Sequence, residues 1–362
     1  MAPPSLDAAG APAPAWRRFG LSFAAAALAA AGGLYGFVLA LDPYGLRAGP
    51  GRTPGPIMDL NQRFMYPQIV RSRRYDAAVF GTSTIRLLDP QRLGALFGAR
   101  FANLGLNAGT PWEQAQLAGL FLRHVPRPAA MIFGLDTSWC EPDADRRRLT
   151  PRAFPPWLYD EDPLNDLAGL ANMRSVEIAS RVALNRLGLL RERIRGDGYE
   201  VFVPPDEAYD LARARTHIRE GVGTAPAERG PPAPERDRAA SPMPALDWLE
   251  ALLAAVPDST VKILAFMPIH AAAQPAPGSR AFAHDEACKA RTASLAKLRG
   301  AAVVDFRRVS PVTTDDSNYW DALHYRLGIA ARIAEGLRQA YAEGREDPDG
   351  FYRILAPAPA RP

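Results

Sequence analysis

The sequence predicts an α/β protein: a three-layer fold on a doubly wound parallel sheet, held to a membrane by an N-terminal transmembrane helix. Two observations carry this. Short apolar runs alternate with stretches of helical pattern from Asp76 to Glu343, and strands that alternate with helices assemble into parallel sheets that bind ligands at their C-terminal strand ends. Ahead of them, Phe19 to Leu41 contains no charged side chain, and a membrane-crossing helix needs about 20 mostly apolar residues.

In chain order, residues 1–18 are rich in Ala and Pro and predict a disordered cytoplasmic segment. Arg17 and Arg18 precede the apolar run 19–41 and Asp42-Pro43 follows it. The positive-inside bias then puts the start of the chain in the cytoplasm and everything after Leu41 in the periplasm or exterior. A cleaved signal peptide is the competing reading, since the run is Ala-rich and Val38-Leu39-Ala40 suits cleavage. The uncleaved anchor is preferred because the run exceeds the roughly 7–15 residues of a signal core.

Residues 42–74 predict a spacer and domain entry, Gly- and Pro-rich as far as Pro56. The main domain covers 75–343. Asp76–Phe80 is its first strand, and Asp89-Pro90 is an N-cap with Pro at the first helical position. Phe101–Leu104 is the second strand. Thr110 to Glu113 is a capping box opening a helix that stops before Pro126, and Ala130–Phe133 is the third strand, running into Gly134-Leu135-Asp136. Residues 141–244, with abundant Pro and Arg, read as an insertion holding a helix over Asp166–Arg195 and a mobile polar loop over Gly221–Pro242. Helix Ala245–Ala255, strand Val261–Phe266, helix Ala281–Leu298, strand Ala302–Asp305 and a helix over Gly328–Glu343 then restore the alternation, leaving 344–362 as a tail.

Composition narrows the function. The 362 residues are 48% hydrophobic with a net charge of +4, enough apolar content for a sizeable core and too little organised positive charge for a nucleic-acid footprint. Cys140 and Cys288 fit either one disulfide in an exported protein or two buried thiols. The five histidines are dispersed without metal-ligand spacing, so no metal is indicated, and no organic cofactor is implied.

The chemistry concentrates in two short motifs. Gly81-Thr82-Ser83-Thr84 directly follows the first strand, which puts the Ser83 hydroxyl at the rim where this architecture binds ligands. Asp321-x-x-His324 near the far end offers an imidazole with a carboxylate three residues away, able to fix its tautomer. Each has a plainer reading, Ser83 as a helix-start hydroxyl and His324 as a structural histidine, but together they make a serine acyl-transfer set in the order Ser, Asp, His. Trp112, Trp139 and Trp320 are candidate sugar-stacking rings with core packing as the alternative, and His270 at the fourth strand's end is a candidate substrate contact or a structural residue.

These pieces resemble the SGNH/GDSL hydrolases, within them the membrane-anchored branch that includes lipoteichoic-acid D-alanylation and alginate-type O-acetylation proteins. The resemblance rests on Val79 to Ser83, Asn103-Leu104-Gly105, Gly134-Leu135-Asp136 and Asp321-x-x-His324, and covers roughly 75–136 and 261–337. It implies an SGNH/flavodoxin-like fold, Ser83 as nucleophile, His324 as general base then acid, Asp321 as its orienting partner, and the N–H groups of Ser83 and Gly105 as oxyanion donors. It further implies a cell-envelope glycan or glycolipid as substrate and a multi-spanning membrane acyltransferase as partner. Two positions depart: Thr82 stands where many members have Asp, and Asp136 stands where hydrolases have an oxyanion-donating Asn. A carboxylate accepts only. Either Asn107 substitutes, or Asp136 binds substrate, or the oxyanion hole is weaker; the plainer readings are Asp136 as a strand-end carboxylate capping the following turn and Asn107 as a turn residue before Ala108-Gly109. The expectation is therefore a serine-dependent acyl transferase or esterase, with a non-catalytic envelope-assembly protein as the rival that Asp136 favours.

Overall fold

The computed structural model describes residues 13–47, 49, 54–222 and 241–359. Ten helices among these residues are α1 Ala13–Leu41, α2 Gln62–Arg71, α3 Pro90–Phe97, α4 Pro111–His124, α5 Pro163–Leu170, α6 Met173–Arg186, α7 Leu211–Gly221, α8 Pro244–Ala255, α9 Arg280–Leu298 and α10 Leu327–Glu343. The strands are β1 Ala77–Gly81, β2 Phe101–Gly105, β3 Ala130–Leu135, β4 Val261–Phe266, β5 Ala302–Asp305 and β6 Arg353–Ala356. They form one sheet in the order β2-β1-β3-β4-β5-β6, parallel except for β6.

Strands buried on both faces read as continuous apolar runs rather than alternating ones, which is why Ala-Ala-Val-Phe and Ala-Met-Ile-Phe were legible as strands. Ala78, Phe80, Met131 and Phe133 point into a core shared with α2, α4, α8 and α9, while Ala77, Val79, Ala130 and Ile132 point into a second core under α3 and α10. Helices therefore cover both faces. The capping box at Thr110 and Glu113 is present, and Asp89 accepts from Gln91 N at the start of α3.

Four expectations change. The 42–74 segment is more than a spacer: it contains α2, all ten of whose residues are buried despite Pro67. A proline inside a helix frees the carbonyl four residues back, and here the Arg63 carbonyl accepts from the Tyr159 hydroxyl at 2.9 Å. The helix expected over Asp166–Arg195 is two, α5 and α6, broken where the Asn172 side chain caps α6 by accepting from Ser175 N. The 344–362 tail supplies β6, whose Arg353 bonds Asp305 and Glu286. Residues 141–244 are stitched to the main sheet: Asn103 N on β2 donates to Asp197 O at 2.8 Å, and Tyr66 Oη donates to Gly198 O at 3.0 Å. Most of the loop expected over Gly221–Pro242 lies outside the described residues. Cys140 and Cys288 are joined in a disulfide that ties the exit of β3 to α9 across 148 residues of sequence.

Trp16–Leu41 within α1 is long and apolar enough to cross a membrane. Its last turns pack against α5 and α6, with Val38 buried and Tyr35 Oη donating to Leu167 O at 2.9 Å.

Candidate active site

β1 ends at Gly81, and the chain turns through Thr82 into a single 3-10 turn, Ser83–Ile85. The Ile85 side chain folds back over the ends of the neighbouring strands so closely that a Cβ at Gly134 would stand 2.0 Å from its Cγ2, and one at Gly105 2.7 Å from its Cδ1. The glycines of the three strand-end motifs thus let the serine turn sit directly on the sheet. The turn is also held from outside. Thr82 Oγ1 donates to Asp136 Oδ2 at 2.5 Å, Thr84 Oγ1 donates to Asp136 Oδ1 at 2.9 Å, and Tyr325 Oη donates to Thr84 O. Ser83 lies between the two threonines, at the β1/β3 position where the strand order reverses, the place where open parallel α/β sheets bind ligands.

The other half of the site arrives on the segment before α10. Asp321 Oδ1 accepts from Leu323 N at 2.8 Å and His324 N at 2.9 Å, leaving Oδ2 2.7 Å from His324 Nδ1. His324 Nε2 is 2.8 Å from Ser83 Oγ. Because the carboxylate only accepts, Nδ1 carries the proton and Nε2 accepts from the serine hydroxyl. Burial opposes ionisation of Asp321, but the His324 ring and the two backbone N–H groups outweigh it and hold its carboxyl below the usual aspartate range. Phe202 presents its ring edge-on to His324 at 5.0 Å, and Arg86 lies over Phe202 while pairing with Glu200.

A cavity of about 420 Å³ opens on Ser83 and His324, walled by Gln62, Asn107, Phe202 and Glu200, with Arg152 and Arg193 also lining it. A larger cavity of about 600 Å³, against Leu96, Phe97 and Pro357, is lined by no Ser, His or carboxylate. The hydrogen-bonded Asp321, His324 and Ser83 therefore make the smaller one the candidate site.

The predicted accessory residues divide. Asn107 lines the cavity, and its carboxamide makes no hydrogen bond to a described residue. Its backbone is fixed on both sides, N donating to Gln62 Oε1 at 3.3 Å and O accepting from Arg63 Nη1 at 3.2 Å. Arg63 is itself buried against Glu113, with Nε–Oε1 at 2.9 Å and Nη2–Oε2 at 2.5 Å. The Ser83 N–H is likewise not taken up by a backbone acceptor among the described residues. Gly105 does not fit its expected role, because its N–H donates to Asn103 Oδ1 at 3.1 Å and is buried within the sheet end. Asp136 is not placed as a substrate contact: both oxygens accept from the threonines flanking Ser83, and burial, only partly offset by those two hydroxyls and by Arg307 and His324, pushes its pKa up.

Trp139 is fully buried, donating to Gln114 Oε1, and cannot reach a ligand in the cavity. His270 is buried between Asp316 and the edge of Tyr319, with Nδ1 accepting from Ala272 N, and does not line the site. Trp112 packs against Phe154, and Trp320 against His217 and Arg213, so the tryptophans do not form one rim. Sequence reading missed Gln62, Arg86, Arg152, Arg193, Glu200 and Phe202, most of which come from irregular segments with no periodicity; the one signal was Asn61, a cap residue ahead of the mixed polar and apolar stretch that forms α2. Among the described residues, no group of three or more His, Cys, Asp or Glu is placed to hold a metal ion.

No family model matches the chain, and no curated protein matches it.

Proposed function

We propose that the protein is a serine-dependent acyl transferase or esterase of SGNH type, anchored in the membrane and acting on a cell-envelope glycan or glycolipid. The observation that carries the reading is the continuous hydrogen-bond chain from Asp321 through His324 to Ser83 at a strand-end crevice. Ser83 Oγ attacks the acyl carbonyl as His324 Nε2 takes its proton; the Ser83 N–H and the Asn107 amide face the developing oxyanion. His324 then returns the proton to the leaving group, and the acyl-serine remains. In the second half His324 deprotonates a glycan hydroxyl, or water, which attacks the acyl carbon and releases Ser83. Asp321 keeps Nδ1–H oriented and balances the imidazolium charge throughout.

Several features support the rest. The order of the first five strands, β2-β1-β3-β4-β5, with helices on both faces supports the flavodoxin-like sheet that the SGNH reading requires, with antiparallel β6 added at its edge. Arg17-Arg18 near the start of α1, just ahead of its uncharged stretch from Phe19, and the Cys140–Cys288 disulfide both suit a domain in the periplasm or exterior. Arg152 and Arg193 at the cavity favour an acceptor that carries negative charge. A multi-spanning acyltransferase would supply the acyl group across the membrane. The rival non-catalytic reading drew on Asp136, whose carboxylate has a structural task between Thr82 and Thr84.

The test supplies the full chain in lipid nanodiscs with an activated acyl ester and an anionic oligosaccharide. Acylated oligosaccharide should form at the expense of free acid, and Ser83→Ala should abolish both products. Unchanged turnover in Ser83→Ala would remove Ser83 as the nucleophile, and no product from the parent would remove the enzyme reading.

A further inference from the structure

Beyond α1, five large apolar residues among those described are more than 70% exposed, and four of them, Leu164, Met173, Leu187 and Leu189, lie on α5, α6 and the turn that follows; only Leu298 lies elsewhere. Scattered apolar side chains are ordinary on a protein surface, whereas a concentration of them beside one element marks a contact face. Here that element is α1.

The contact runs alongside the apolar helix rather than past its end. Ala31, Leu34 and Val38 of α1 face Leu170, Met173 and Val176 across an apolar groove. Ala31 is ten residues before Leu41, the last residue of α1, which at 1.5 Å per residue puts the start of α6 up to about 15 Å back along the helix from its end. Two guanidinium groups mark that end: Arg47 Nη2 donates to Leu39 O at 2.9 Å and Ala40 O at 3.1 Å, and Arg186 Nη2 to Leu41 O at 3.2 Å. Cations at a helix C-terminus complement its dipole, and at the close of a membrane helix they also stand at the level of lipid phosphates. The residues of α5 and the start of α6 that pack on α1 below them lie at the depth of the acyl chains or their boundary, and the Leu187–Leu190 turn, which follows Arg186, lies at the level of the cations themselves. Asp160, Glu161 and Asp162 immediately precede α5, and Asp166 on α5 and Arg174 and Glu177 near the start of α6 are charged, so the depth is shallow, the 5–10 Å or so of interfacial elements.

We propose that α5, the start of α6 and the Leu187–Leu190 turn form an apolar ledge that seats in the headgroup–acyl boundary of the leaflet where α1 ends, making a second bilayer contact beside the anchor. The ledge adjoins the Ser83 cavity. Leu190 is three residues from Arg193, which lines that cavity, so the two Cα atoms are at most about 11 Å apart. A domain seated this way presents its serine close to the membrane surface, where a lipid-linked acyl donor or acceptor would emerge. The proposal rests on the anchor reading above, and the experiment separates the two.

Single cysteines at Leu167, Met173, Leu189, Leu28 and Leu298 in the full chain, with its native disulfide intact, are spin-labelled and reconstituted in nanodiscs of phosphatidylethanolamine and phosphatidylglycerol. Collision rates with oxygen, which partitions into lipid, and with a water-soluble nickel chelate are compared. Labels at Leu167, Met173 and Leu189 should favour oxygen, as Leu28 within α1 does, and Leu298 should favour nickel. If the three ledge labels favour nickel while Leu28 favours oxygen, the anchor stands and the ledge falls. If they are shielded from both reagents, protein rather than lipid covers the face and the proposal is wrong. If Leu28 favours nickel, the anchor reading fails and the ledge with it.

Discussion

Asp321→Asn is the most informative single substitution because the geometry dictates how the amide must sit. Asp321 Oδ1 is held by two backbone donors, Leu323 N at 2.8 Å and His324 N at 2.9 Å. In the variant only the amide oxygen can occupy that position, which puts Nδ2 where Oδ2 was, 2.7 Å from His324 Nδ1 in the parent. Two donors cannot face each other, so the ring shifts its proton to Nε2 and presents N–H to Ser83 Oγ instead of a lone pair. The base is then lost while the turn survives. In serine proteases the equivalent tautomer error costs about 10⁴ in rate, or about 5.5 kcal/mol of transition-state stabilisation. The assay is the second-order rate of Ser83 labelling by a fluorophosphonate at neutral pH, with urea denaturation run in parallel. The expected result is a loss of about 10³ to 10⁴ in labelling with stability within about 1 kcal/mol of the parent. Asp321→Ala should lose both, since the two backbone donors lose their acceptor. A labelling rate for Asp321→Asn within tenfold of the parent would refute the assigned tautomer and the base role of His324.

Asp136→Asn should change stability by no more than about 1 kcal/mol, because losing one threonine hydrogen bond is offset by removing a buried charge, and should lower Ser83 labelling far less than Asp321→Asn; an equal loss would give Asp136 a part in the chemistry. Replacing Cys140 and Cys288 together by Ser should cost roughly 2–5 kcal/mol in urea denaturation, as opening a long cross-linked loop does, and reduction of the parent should reproduce it. Asp285 gives a signed pH dependence. Burial opposes its ionisation, but Arg307 and Lys289 outweigh it and hold the carboxyl below the usual range. The stability this contributes is present above the unfolded aspartate pKa of about 4 and is lost as pH falls through the folded value. Asp285→Asn should therefore be weaker than the parent at neutral pH and lose less on acidification.

The parts legible in the sequence are those whose placement is local. An apolar run ending in Gly81-Thr82-Ser83 fixes a strand end and a turn without reference to the rest of the chain, and Asp321 and His324 meet within one turn through their own backbone. The triad follows once β1 and the segment before α10 share a rim. What stayed hidden depends on distant partners. α2 is disguised by Pro67, whose missing hydrogen bond is made good by Tyr159 nearly a hundred residues on. β6 is only four residues long, and its Arg353 is held by Asp305 and Glu286, neither of them its neighbour in sequence. Phe202, Glu200 and Arg193 reach the cavity because Asp197 bonds the edge of β2 and Glu200 pairs with Arg86. No periodicity encodes such contacts. Asp136 shows the converse: set against a pattern it stands where an oxyanion donor belongs and its role stays open, whereas its two threonine donors make it the clamp on the Ser83 turn.

The claim that Ser83 is an acyl-accepting nucleophile is tested most directly by trapping the intermediate. The full chain is mixed with an activated acyl ester, quenched in acid within its first turnover, digested and mapped by mass spectrometry. One acyl group should appear on the peptide containing Ser83, be absent in His324→Ala, and disappear when an acceptor glycan is added before quenching. An unmodified Ser83 peptide alongside continuing product formation, or an acyl group on another residue that turns over in its place, would contradict the account.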